Sequence, residues 1–200
     1  MDYRATIQPL GSSSIFGENS VDIMGPLYER NALVFPYTPT VMASGNADYE
    51  EYNFTHSIYK YSAYSNSSVS EISVTGDFTA QTDNEARYLL ACMHFFRSVT
   101  KSYFGSSNGA LAGAPPPIVK FDYLGDQMYK NVPVIIKNYT HVLEPAVDYV
   151  PVVVGNKTSY VPTQVSMTIT MELYYNPKLL RDKFNLQDFR NGKLLQDGYI

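Results

Sequence analysis

The sequence predicts a mostly-β chain, antiparallel in character, with one packed helix. Period-two alternation is cleanest in "QVSMTITMELYY", where apolar and polar residues alternate from Val165 to Leu173. One long segment instead repeats at helical spacing, opening on Thr82 and Glu85 in the Ser/Thr-x-x-Glu arrangement of a capping box. Proline and glycine separate the remaining segments into about seven strands, so a packed helix on an antiparallel sheet is the expected class.

In chain order, the first fifty residues are turn-rich. "PLGSSSIFGENS" and "FPYTPTVMASGNADYEE" hold few apolar clusters, so an extended arm with short strands is expected here. "ALVFPYTP" reads as an edge strand, because Pro36 would interrupt a central ladder. "DYEEYNFTHSIYKYSAYS" sets Tyr49, Tyr52, Phe54, Ile58, Tyr59, Tyr61 and Tyr64 among polar residues, and alternation from Thr55 to Tyr61 predicts a strand or a long hairpin. "SVSEISVTGDFTAQT" follows with one face, Ile72 and Val74, more apolar than the other.

The helix is expected over about residues 83–104, with Gly105 ending it in a left-handed cap. Ala86, Leu89, Leu90, Met93 and Phe96 form one apolar stripe; Tyr88, Cys92, Phe95, Val99 and Tyr103 form a second. Two stripes imply deep burial or packing between the chain's own sheet and a neighbouring subunit, and in a chain this short the second is favoured. Tyr88, Phe95 and Tyr103 are therefore candidates for a face against a neighbour, with the chain's own core as the alternative.

The small-residue stretch "GSSNGALAGA" runs into Pro115, Pro116 and Pro117, which lack backbone donors and favour an extended lead-in. The strand "IVKFDYLG" follows at once, then a turn over Asp126–Asn131 and the strand "VPVIIKNYTHVL", where Pro133 marks a strand start or an edge. Two strands around Gly155-Asn156 and the Val165–Leu173 strand complete the sheet, and Asn176-Pro177 stops it. The tail after Pro177 spaces Leu179, Leu180, Phe184, Leu186 and Phe189 for a short helix or a partner-binding extension. The whole is expected to be one domain over 1–200: an arm (1–50), a β core with helix (51–177) and a C-terminal extension (178–200).

Composition limits the function. Eighteen Tyr and ten Phe with no Trp, at only 17% charged residues, suit extensive protein–protein contact. A net charge of −4 argues against non-specific nucleic-acid binding. The single cysteine excludes an internal disulfide, and Cys92 reads as a small buried hydrophobe. "MDYRATIQPL" has no basic region followed by an apolar core, so synthesis in a cytoplasm and no membrane insertion are expected; the sequons at Asn53, Asn66, Asn138 and Asn156 then read as chance. His56, His94 and His141 lie in separate segments and match no metal-ligand spacing, and His94 reads as a packing residue. Glu50-Glu51 and Asp122 with Asp126 read as solvated turns, and no phosphate loop or nucleophile elbow occurs. No enzyme, cofactor or metal is expected.

Three ordered segments carry a family resemblance: "SEISVTGDFTAQTDNEARYLLACMHFFRSVTKSYFG", "GAPPPIVKFDYLGDQMYKNVPVIIKNYTHVLEPAVDYVPV" and "VPTQVSMTITMELYYNP". Over Val69–Pro177 the chain resembles the tail-tube-like domain of baseplate tube-initiator proteins from contractile-tailed bacteriophages. The resemblance implies a tail-tube-like β-sandwich or barrel with a flanking helix, assembled as a homohexameric ring. It implies baseplate hub and tail-tube proteins as partners, residence in the virion, and a lumen through which phage DNA passes without specific binding. The Tyr49–Tyr64 hairpin is then the candidate inter-subunit or inter-ring arm, and Pro115–Pro117 are expected to deliver the strand "IVKFDYLG" at a fixed angle for ring formation. The competing readings are a main tail-tube or terminator protein and, from another class, a carbohydrate- or host-binding β module.

Overall fold

Strand alternation becomes a large antiparallel sheet in the computed structural model, which describes residues 3–11, 15–104 and 112–200. Strands β1 (Thr6–Pro9), β2 (Leu33–Val34), β3 (Thr40–Met42), β6 (Ile72–Thr79), β7 (Val119–Tyr123), β8 (Tyr129–Leu143) and β11 (Gln164–Leu173) pair in the order β2-β1-β7-β8-β11-β6-β3. Two ribbons stand apart from it: β4 (Gly45–Tyr52) with β5 (Tyr61–Val69), and β9 (Tyr149–Val154) with β10 (Lys157–Pro162). The chain is thus β-rich α+β.

The sheet is curled. Its outermost strands β2 and β3 are joined by only Phe35–Pro39. Six Cα steps reach at most about 22 Å, whereas the outer strands of a flat seven-stranded sheet stand about 29 Å apart. Phe35 marks the crossing: its amide donates to the carbonyl of Ala5 beside β1, and its ring lies 5.4 Å from that of Phe78 on β6. Tyr123 on β7 reaches the same connection, donating to the Pro39 carbonyl at 3.2 Å. Gly76 faces the Phe35 ring, where a Cβ would sit 2.6 Å from its Cδ1.

Helix α2 (Asp83–Val99) packs against β6, β8 and the β9–β10 ribbon, with Leu89, Met93 and Phe96 in the core. The capping box is formed: Thr82 Oγ1 accepts from the Glu85 amide, and the Glu85 carboxylate accepts from the amides of Gln81 and Thr82. The helix ends five residues before the expected limit. Ser98 and Thr100 turn their hydroxyls back onto the carbonyls of Phe95 and Phe96, and Tyr103 then pairs with the chain at Gly113 and Ala114. Gly105 lies outside the described residues.

Three further expectations are corrected. Residues 3–42 are no arm: Ala5, Ile7, Phe16, Leu27, Leu33 and Phe35 are fully buried, and β1 sits inside the sheet. Helix α1 (Gly25–Arg30), opened by Pro26 and closed by Asn31 in the left-handed region, packs on α2. These apolar residues are scattered singly, so they become a core only against partners far along the chain. Pro133 lies within an interior strand, not at its start or on an edge. It is tolerated because its backbone faces Tyr174, whose amide donates to its carbonyl one step beyond the last β8–β11 pair, Leu173 with Val134. Finally, residues 53–60, including most of the expected Thr55–Tyr61 strand, form the tip that joins β4 to β5.

After β11 the chain forms α3 (Pro177–Lys183), α4 (Leu186–Arg190) and a 3-10 turn, Leu195–Asp197. Neither helix buries a residue, but the terminus is tied down. Tyr175 stacks on Tyr199 at 5.3 Å and donates to the Gly198 carbonyl, and Asn131 Nδ2 donates to the Gln196 carbonyl. Burial pushes the Tyr175 phenol up to about 12.

Candidate assembly surface

The β4–β5 hairpin grows directly out of the sheet. β3 leads into β4, β5 leads into β6, and the Ser70 amide donates to the Ser44 carbonyl where the two pairings meet. All eight residues of β4 are exposed and only Ala63 of β5 is partly covered. Each face carries a tyrosine pair. Tyr49 lies opposite Tyr64, ring edge to ring face at 5.8 Å, beside Glu51; Tyr52 lies opposite Tyr61 beside Glu50. The tip adds Phe54, Ile58 and Tyr59, of which Ile58 is 89% exposed. Local contacts are modest: Tyr52 donates to Glu50 Oε2 at 2.7 Å, which raises the phenol's pKa, and Lys60 pairs with Glu51.

A two-stranded ribbon with no packed face is marginal alone in water. Large aromatic side chains are nevertheless held exposed on both sides of this ribbon. The sequence expected a strand or long hairpin here; the hairpin forms, with its strands on either side of the stretch whose alternation suggested one.

The helix candidates separate. Phe95 is fully enclosed by its own chain, with its ring 5.0 Å from Phe16 and 5.4 Å from Phe96. Part of the stripe expected against a neighbour is covered instead by Phe16 and α1, and the Ser98 hydroxyl reaches Met24 Sδ at 3.9 Å. Tyr88 clamps the sheet edge: its hydroxyl accepts from the Val34 amide and donates to the Val34 carbonyl, both at 2.7 Å. Burial drives the Tyr88 phenol and the Cys92 thiol far above their ordinary ranges, so both stay neutral. Tyr103 is 37% exposed and borders the undescribed loop. Pro115 is exposed and Pro116 and Pro117 half-buried, in extended backbone entering β7.

Among the described residues, no three His, Cys, Asp or Glu side chains are grouped to hold a metal. A cleft of about 730 Å³ between α1, α2 and β6 is lined by Arg30, Arg87, Glu29, Glu85 and Tyr88. Both of these arginines are engaged: Arg30 lies over the Tyr88 ring, and Arg87 donates to the Val153 carbonyl and pairs with Asp83. No helix among the described residues is long and apolar enough to cross a membrane.

No protein-family model matches the chain, and comparison with curated proteins finds no match.

Proposed function

We propose that this protein is a structural component of a contractile phage tail, forming a ring at the junction of baseplate and tail tube. In this reading copies of the chain assemble around a lumen, the ring nucleates stacking of tube subunits, and phage DNA passes through without specific binding. The β4–β5 hairpin carries the reading. It is a long ribbon that buries nothing in its own chain, shows tyrosine pairs on both faces and is fused to the edge of the main sheet. An arm of that kind gains stability only by assembly, and homo-oligomers of soluble proteins close into rings when a head-to-tail contact repeats. The sequence resemblance over Val69–Pro177 supplies the viral context, and an acidic chain suits a conduit that must release its cargo.

Native mass spectrometry and negative-stain electron microscopy of the purified chain test it. A closed ring of fixed copy number supports the initiator reading, and long spontaneous tubes indicate the main tube protein instead. A particle with the mass of one chain at assembly concentrations, together with a positive glycan screen, overturns it in favour of a carbohydrate-binding module.

A further inference from the structure

A second cleft, of about 330 Å³, is lined by the C-terminal half of α2, the end of β8 and the β9–β10 ribbon. Spacing sets its helical wall. Leu90, His94 and Arg97 stand at i, i+4 and i+7, so one face of α2 presents an apolar side chain followed by two nitrogen bases. Leu143 contributes from β8. Tyr149 and Tyr160 contribute from the ribbon: Tyr149 pairs with Pro162, two residues from Tyr160, which puts both tyrosines on one face.

The charge of this cleft is one-sided. None of its lining residues is acidic, although the chain holds 19 acids against 15 Lys and Arg. Unlike Arg30 and Arg87 in the larger cleft, Arg97 makes no ion pair or hydrogen bond among the described residues. The helix end does not occupy it either, because the carbonyls of Phe95 and Phe96 already accept from Ser98 and Thr100. Its charge is felt by His141, two positions before Leu143 on the same face of β8, whose Nε2 is buried without a hydrogen-bond partner.

A planar guanidinium matches the two oxygens of a carboxylate, and apolar and aromatic walls match a flat ring. The volume lies at the lower end of the range for small-molecule sites, about 300–1,000 Å³. We infer that this cleft binds a small aromatic carboxylate. Arg97 takes the carboxylate with His94 beside it, and Leu90, Leu143, Tyr149 and Tyr160 hold the ring. The site is complete within one chain, whatever assembly the chain enters.

Benzoate added to the full chain is the probe, with the three histidine rings followed by NMR and His94 assigned through His94→Gln. His94 lines the cleft and His56 sits at the hairpin tip, so saturable shifts at His94 with none at His56 locate the ligand. Benzoate is expected to bind roughly tenfold or more tightly than acetate, which lacks the ring, and than benzamide, which lacks the charge. Arg97→Gln, at an exposed position, is expected to keep the melting temperature and to weaken benzoate by roughly tenfold or more. Tyr160→Ser should weaken benzoate and leave acetate unchanged. Absence of saturable binding, equal shifts at His56, acetate or benzamide binding as tightly as benzoate, or undiminished binding by the folded Arg97→Gln variant overturns the site.

Discussion

Phe95 and Tyr88 on α2 and Tyr49 on β4 are all aromatic residues on patterned elements. Burial decides their roles. Phe95→Ala removes a ring enclosed by Phe16 and Phe96 and is expected to destabilise the subunit by about 3–5 kcal/mol, seen as a lowered urea midpoint with no folded, assembly-defective species. Tyr88→Phe keeps the packing but strips both Val34 backbone groups of their partner. A loss of about 1–3 kcal/mol is expected, measured by the same denaturation. His141 gives a pH signature. Burial first, and the Arg97 charge second, hold its imidazole below the ordinary 6.5, so the folded chain binds its proton less readily than the unfolded one. The stability this neutral histidine allows is present above pH 6.5 and is lost as pH falls below it. Calorimetry should show the melting temperature dropping between pH 7 and 5, with part of that slope absent in His141→Gln; an identical slope in the variant would refute the assignment.

At the scale of elements, the β4–β5 ribbon is separable from the fold that carries it. Replacing Ala47–Ser67 by Asn-Gly joins Asn46 to Ser68, which already face each other, through a two-residue hairpin turn. The shortened chain is expected to melt within a few degrees of the full one, since almost nothing in the ribbon is buried, and to lose all assembly by analytical ultracentrifugation. The elements differed in how far they could be read from sequence. β6, β11, the β9–β10 hairpin and the start of α2 were legible because their information is local: alternation, a Gly-Asn turn, a capping box. The role of residues 3–42 was not, since Ile7 or Phe35 carries no local signal for a partner such as Phe121 or Phe78 far along the chain. The helix end was misplaced for a similar reason. Apolar spacing continues to Tyr103, but the hydroxyls of Ser98 and Thr100 compete for the last carbonyls first. The aromatic hairpin residues were visible as a composition, whereas the point where β8 runs on past β7 depended on a register that only pairing reveals.

For the molecule as a whole, the decisive feature is a sheet curled tightly enough for Phe35–Pro39 to pass from one outer strand to the other. It depends on close approach at one point. Gly76 on β6 leaves room for the Phe35 ring, and a Cβ there would stand 2.6 Å from Cδ1 and 2.9 Å from Cε1. The ring is fully buried, against that of Phe78. Gly76→Ala is therefore expected to cost about 1–3 kcal/mol by overpacking. Phe35→Leu alone removes the ring–ring contact with Phe78 and destabilises as well. The double variant should be less damaged than the two losses combined, because the smaller side chain makes space for the new methyl, with a coupling energy of roughly 0.5–3 kcal/mol. Urea denaturation of all four proteins measures that coupling directly. Strict additivity would mean that Gly76 and Phe35 do not constrain each other, and the curl would then have to be held by Tyr123 and the Pro39 carbonyl alone.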